Sequence, residues 1–184
     1  PFIDATRVGI CGHSGGGFMS TAAICTYPDF YKAAVSSSGN HDNTIYNLWW
    51  GETHHGVKEV KAKESRRIKS PTTGKDTTIT EEKTKFEFEV ETNMELAKNL
   101  KGHLLLVHGS ADRNVHPAHT LRMADALIKA GKKFELVVLP GQDHYYLGDY
   151  QYFFERKLWF HFAKHLLGDD RCDDYVQIDD YLRE

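Results

Sequence analysis

Five consecutive residues, Gly12-His13-Ser14-Gly15-Gly16, restrict the possible folds of this chain more than any other stretch. They follow a short apolar segment, Arg7-Val8-Gly9-Ile10-Cys11, and precede a helix-like one, Gly17-Phe18-Met19-Ser20-Thr21-Ala22-Ala23-Ile24. A G-x-S-x-G sequence between a strand and a helix reads as a nucleophile elbow, a turn sharp enough to hold its serine under strain. Glycine two residues before and two after Ser14 removes Cβ atoms that would keep strand and helix apart. The Ser14 hydroxyl is then expected to project above the strand ends. Backbone N–H groups at the start of the following helix are placed to receive negative charge.

The rest of the chain alternates strand-like and helix-like segments, which predicts an α/β fold with a parallel sheet. Strands are expected over Arg7 to Gly12, Lys32 to Ser37, His103 to His108 and Lys133 to Leu139. Helices are expected over Gly17 to Tyr27, Met94 to Leu100, Pro117 to Ala130 and Tyr150 to Leu166. Within Pro117 to Ala130, Leu121, Ala124, Leu127 and Ile128 fall at helical spacing, with Pro117 starting the helix and Gly131 stopping it. Phe153, Phe154, Leu158, Phe162, Leu166 and Leu167 form a broad apolar stripe that reads as core.

With 184 residues, 40% of them hydrophobic, the chain suffices for one sizeable core. A net charge of −3 gives no basic footprint for nucleic acid, and no apolar run is long enough to predict a membrane span. Three cysteines are too few and too scattered for a disulfide framework. Cys11 and Cys25 are expected as small core residues, and Cys172 lies in an acidic tail. The chain opens on Pro1-Phe2-Ile3-Asp4, without methionine and close to a core strand, as an excised piece would.

Gly56 to Asn93 breaks the α/β rhythm. It is crowded with Lys, Arg and Glu, and it carries turn signals at Ser70-Pro71 and Thr73-Gly74-Lys75-Asp76. Val57 to Lys61 and Thr84 to Val90 alternate as strands do. Residues 56–93 are therefore expected as a charged β-hairpin with a mobile tip, inserted at the surface of a domain covering 1–184.

A serine hydroxyl is a poor nucleophile unless a base takes its proton and a third group orients that base. A parallel sheet gathers such groups in the loops at its C-terminal strand ends. Two loops qualify: Gly109-Ser110-Ala111-Asp112-Arg113-Asn114-Val115-His116-Pro117, and Pro140-Gly141-Gln142-Asp143-His144. The candidates are Ser14, Asp112 and His144, in the chain order of α/β-hydrolases. Asp112 ranks above Asp143, because adjacent side chains such as those of Asp143 and His144 diverge. His108 and His116 flank the acid loop as competitors, and His13 is expected to line the pocket or pack. His54-His55, His116/His119 and His161/His165 lack a metal signature and read as solvated surface histidines, so no metal site is expected.

Three segments carry a resemblance: Arg7 to Gly16, Val107 to His116, and Gly141-Gln142-Asp143-His144. Together they resemble the prolyl oligopeptidase family of serine peptidases, and within it the dipeptidyl peptidase IV-like branch. The resemblance implies the C-terminal part of an α/β-hydrolase catalytic domain, a peptide substrate and no cofactor. It also implies a proline-selective dipeptidyl or oligopeptidase acting through an acyl-enzyme, with Ser14 as nucleophile, Asp112 as acid and His144 as base. Gly15 would supply an oxyanion N–H. Asn114 matches a position contacting a substrate carbonyl, and Val115 and Tyr46 match positions lining a proline pocket. Ser36 to Asp42 departs from that branch's more aromatic segment, and Trp49 and Trp50 either compensate for it or belong to the core.

In that family further strands, a β-propeller and a second oxyanion donor, a tyrosine, lie upstream. Loss of one donor costs about 2.7–4 kcal/mol, so the chain alone is expected to be weak or inactive. The first strand is expected to become a sheet edge, favouring self-association through that edge or through the insertion. An esterase or other acyl hydrolase, and a non-catalytic binding protein on the same fold, are the alternative readings.

Overall fold

The computed structural model describes residues 2–69 and 74–171. Contacts divide the chain into two compact units, one made of the residues up to Tyr46 with those from Thr92 onward, the other of Asn47–Glu91. Cys172 and the Ser70-Pro71 turn with its expected mobile tip lie outside the described residues.

The larger unit is built on four parallel strands in the order β1-β2-β5-β6: β1 (Val8–His13), β2 (Tyr31–Ser37), β5 (His103–Gly109) and β6 (Glu135–Leu139). Strand β5 runs through the interior, and Leu104, Leu105, Leu106 and Val107 are all buried, as a parallel strand covered on both faces requires. Alternation divides them between two cores. Leu104 and Leu106 join Ile24, Cys25, Ala34, Met123 and Leu127 beneath α1 (Gly15–Thr26) and α4 (Ala118–Lys129). Leu105 and Val107 join Val35, Leu139 and Tyr146, against which Phe153, Phe154, Leu158 and Phe162 of α5 (Asp149–Phe162) pack. Helix, sheet and helix make three layers, the α/β-hydrolase arrangement expected from the sequence.

Local packing corrects several expectations. The stripe of α4 is centred on Thr120, Met123, Ala124 and Leu127, and Leu121 and Ile128 sit at its outer margin, exposed. A π-helical turn, Ala163–Leu167, follows α5 and carries Leu167 out into solvent. Cys25 is buried but Cys11 is exposed: α5 reaches β1 at Gly9, where Phe162 and Leu166 approach closely, and Cys11 lies beyond that contact on the edge strand. His119 and His161 are buried rather than solvated, because each lies on the helix face turned toward the sheet, and His55 is buried too. Expected helix Met94 to Leu100 is a short α3 (Asn93–Leu96) completed by a 3₁₀ turn, Ala97–Asn99.

The smaller unit contains α2 (Leu48–His55), a helix the apolar pattern does not announce, and the antiparallel pair β3 (Val57–Lys69) and β4 (Asp76–Phe88). The Asn47 side chain caps α2, accepting from the Trp50 N–H at 3.0 Å, and Gly56, at φ 68°, ends it.

Candidate active site

Strand β1 and helix α1 meet at Ser14, whose φ of 59° lies in the left-handed region that side chains rarely adopt. Strain of this kind is of order 1–3 kcal/mol and persists where the surroundings enforce it. Here the Ser14 N–H donates to the Ser37 carbonyl (2.8 Å), and the Ser14 carbonyl accepts from Phe18 N–H (3.0 Å). A Cβ on Gly12 would lie 2.3 Å from the Gly16 carbonyl oxygen, so the crossing tolerates no side chain there. The spacing of the motif points to Gly16 as the second space-making glycine, but a Cβ at Gly16 would meet nothing within 4 Å. The crowded position is Gly17, where a Cβ would sit 2.6 Å from the Ser37 carbonyl oxygen on β2. Gly15 is the first residue of α1.

Asp112 and His144 come together from the loops after β5 and β6. His144 Nδ1 donates to Asp112 Oδ2 at 2.8 Å, with both side chains buried. A carboxylate can only accept, so Nδ1 carries the proton and Nε2 keeps its lone pair, the tautomer of a general base. The other carboxylate oxygen, Oδ1, accepts from the backbone N–H groups of Asn114 (2.9 Å) and Val115 (2.8 Å), which fixes the acid independently of its partner. Ser14 is partly exposed and His144 buried, and no hydrogen bond joins the Ser14 hydroxyl to the imidazole among the described residues.

The competitors have other work. His108 is buried; its Nε2 contacts the Val115 carbonyl (2.8 Å) and Asp112 Oδ2 (3.4 Å), and its Nδ1 contacts Thr120 Oγ1 (2.7 Å). Both Nε2 neighbours are acceptors, so Nε2 carries the proton and the Thr120 hydroxyl donates to Nδ1. His108 thus ties the acid loop to α4, and burial holds its pKa below the usual imidazole value. His116 Nδ1 accepts from the Ala118 N–H (3.1 Å). Asp143 is turned outward onto Arg113, accepting from its Nε at 2.7 Å and from its backbone N–H at 3.0 Å. The histidine beside the serine, His13, bonds Ser37 Oγ (3.0 Å), stacks on Tyr145 and lies 4.7 Å from the His144 ring, centroid to centroid. Burial pushes its pKa down to about 4, so at neutral pH His13 places no positive charge beside His144.

Tyr46 and Asn114 are joined directly, the Tyr46 hydroxyl donating to Asn114 Oδ1 at 2.9 Å. Val115 has no exposed surface. Sequence reasoning did not find Tyr146. Its hydroxyl contacts Ser37 Oγ (2.8 Å) and Ser38 Oγ (3.1 Å), linking the loop after His144 to the end of β2. The run Ser36-Ser37-Ser38 was the available signal, because buried hydroxyls at a strand end require polar partners.

A parallel sheet with a strained serine after one strand and a hydrogen-bonded Asp–His pair after two others defines an α/β-hydrolase. More particularly, residues 1–170 match the Peptidase_S9 model, the prolyl oligopeptidase family, and the chain belongs to that family. It is 28% identical over 143 residues to human dipeptidyl peptidase 8, covering 78% of this chain and 14% of that protein. Over 145 residues it is 26% identical to the inactive dipeptidyl peptidase 10 of Rattus norvegicus, covering 79% of this chain and 16% of that relative. The structure of Porphyromonas gingivalis dipeptidyl peptidase 4 is also similar, with a TM-score of 0.66 and 26% identity, covering 89% of this chain and 20% of that one. This chain therefore spans a minor part of each.

Proposed function

We propose that this chain carries the nucleophile, base and acid of a serine peptidase that cleaves peptides after proline, in the manner of a dipeptidyl or oligopeptidase. Ser14 Oγ attacks the scissile carbonyl while His144 Nε2 takes its proton, and Asp112 steadies the resulting imidazolium through Nδ1. Negative charge on the tetrahedral oxygen falls to the Gly15 N–H at the start of α1. The protonated His144 then gives its proton to the leaving amine, and the acyl group stays on Ser14 until water, activated by the same imidazole, releases it. Asn114 and Tyr46 form the substrate-binding side, with Asn114 directed at a substrate carbonyl and Val115 backing the proline pocket from inside the fold.

The observation that carries this reading is the 2.8 Å bond between His144 and Asp112, which prepares the base tautomer at the sheet end that also holds the elbow. A relative whose name declares it inactive shares comparable identity, so the argument rests on these side chains and not on overall similarity. A fluorophosphonate probe tests it: peptide mapping should find the label on Ser14, with labelling lost in Ser14→Ala and His144→Gln. Unlabelled Ser14 overturns the assignment. Faster turnover of p-nitrophenyl esters than of Xaa-Pro amides would move the reading to an esterase.

A further inference from the structure

At the opposite end of the sheet from Ser14, the start of β6 and the end of α5 bring together Glu135, His161 and His165. The ligating atoms of these three side chains all lie within 4.8 Å of one another. His161 Nε2 lies 3.2 Å from the His103 carbonyl oxygen. That oxygen only accepts, so Nε2 carries the proton and Nδ1 holds a lone pair. Nδ1 is buried and makes no hydrogen bond, with Glu135 Oε1 3.3 Å away. His165 Nε2 approaches the same oxygen at 3.7 Å. A carboxylate facing a bare imidazole nitrogen across 3.3 Å is repulsive unless something positive lies between them.

We propose that Glu135, His161 and His165 bind a divalent transition-metal ion of the zinc class, through Oε1, Nδ1 and Nε2 respectively. Two histidines and a glutamate form an established zinc ligand set. Tetrahedral bonds of about 2.0–2.2 Å put ligand atoms about 3.3–3.6 Å apart. The observed 3.3 and 3.7 Å match that spacing, and the third pair, His161 to His165, lies within 4.8 Å and closes as the metal binds. The second shell is already in place: the His103 carbonyl fixes the His161 tautomer, and the His103 ring stacks on His165 with centroids 3.7 Å apart, orienting it. Lys157 Nζ, 3.7 Å from Glu135 Oε2, engages the other carboxylate oxygen and leaves Oε1 to the metal. Glu135 is half exposed, which provides an entry path and a fourth, water-held vertex. A bound ion would clip α5 to the strand that leads into the His144 loop. The site is independent of the peptidase reading, because none of its ligands lies at the Ser14 end of the sheet.

Titrating Co²⁺ and Zn²⁺ into the EDTA-treated protein tests the site without reference to activity. Co²⁺ should give the visible absorption of tetrahedral nitrogen–oxygen coordination, displaced by one equivalent of Zn²⁺. Zinc about 100-fold above its Kd should raise Tm by roughly 5–10 °C. Glu135→Gln, at a half-exposed position, and His165→Gln, at a partly buried one, should each weaken binding by about 10-fold or more and abolish that rise. Absence of saturable binding up to about 1 mM metal overturns the proposal. So does binding that persists undiminished in both variants, since the ion would then sit on other residues.

Discussion

The unit that holds Ser14 and the Asn47–Glu91 unit obtain order by opposite means. In the first, strands are short and the central two, β2 and β5, are largely buried, and small residues are forced by backbone crossings such as Gly12 over Gly16. In the second, β3 and β4 pair over 13 residues each with most side chains in water. Cross-strand ion pairs decorate it: Glu64 takes Lys83 and Lys85, at 3.0 and 2.8 Å, and Arg66 takes Glu81 at 3.1 Å. Exposed pairs contribute about 0–1 kcal/mol each, so the ladder of backbone hydrogen bonds carries the hairpin. Chemistry concentrates where burial fixes a tautomer and a rotamer, which the hairpin does not provide.

The sharpest break between the units should come from Ser14→Ala, which is expected to abolish fluorophosphonate labelling while the fold, read by circular dichroism, is unchanged. Asp112→Asn should slow that labelling by about 10⁴, because an amide favours the wrong His144 tautomer. Undiminished labelling in either variant would put the reaction on other groups.

Stability separates the two elbow glycines. Gly17→Ala should cost roughly 1–3 kcal/mol in a denaturant titration, because the new methyl meets the Ser37 carbonyl. Gly16→Ala should be neutral or slightly stabilising, because nothing lies near its methyl. Acid should also act on the units in different ranges. Burial pushes His41 down to about 3 and His13 and His119 down to about 4. Over that interval the unfolded chain binds more protons than the folded one. The stability these neutral histidines provide is therefore complete above pH 6.5 and drains away as pH falls toward 4. In the hairpin Glu64 is held at about 2 by Lys85 and Lys83, so its contribution stays complete above pH 4.5 and fades only below that. Thermal midpoints between pH 7.5 and 4.5 check this, and a flat profile would contradict it. The smallest effect is expected from Glu64→Gln, with no resolvable change in the denaturation midpoint at neutral pH and none in fluorophosphonate labelling.

Much of the larger unit was legible because its signals are local. The elbow motif, the apolar run Leu104 to Val107 and the loops ending at Asp112 and His144 each announce themselves within a few residues. Legibility stopped where burial depends on what the fold brings alongside. His161 and His119 resemble surface residues until β5, β6 and the neighbouring loops cover them. Cys11 resembles core until the edge position of β1 leaves it open. Helix α2 escaped notice because its two tryptophans, glycine and histidines make no apolar stripe, although Asn47 and Gly56 mark its ends. The roles of His108 and Tyr146 exist only as contacts across the fold, with Thr120 in one case and Ser37 in the other.

Asp112 takes its position from main-chain N–H groups at Asn114 and Val115, a hold that does not depend on the side chain of Asn114. On the proposed reading, Asn114 can be exchanged without moving the Asp112–His144 pair behind it, so selectivity is free to drift under selection while that pair stays fixed.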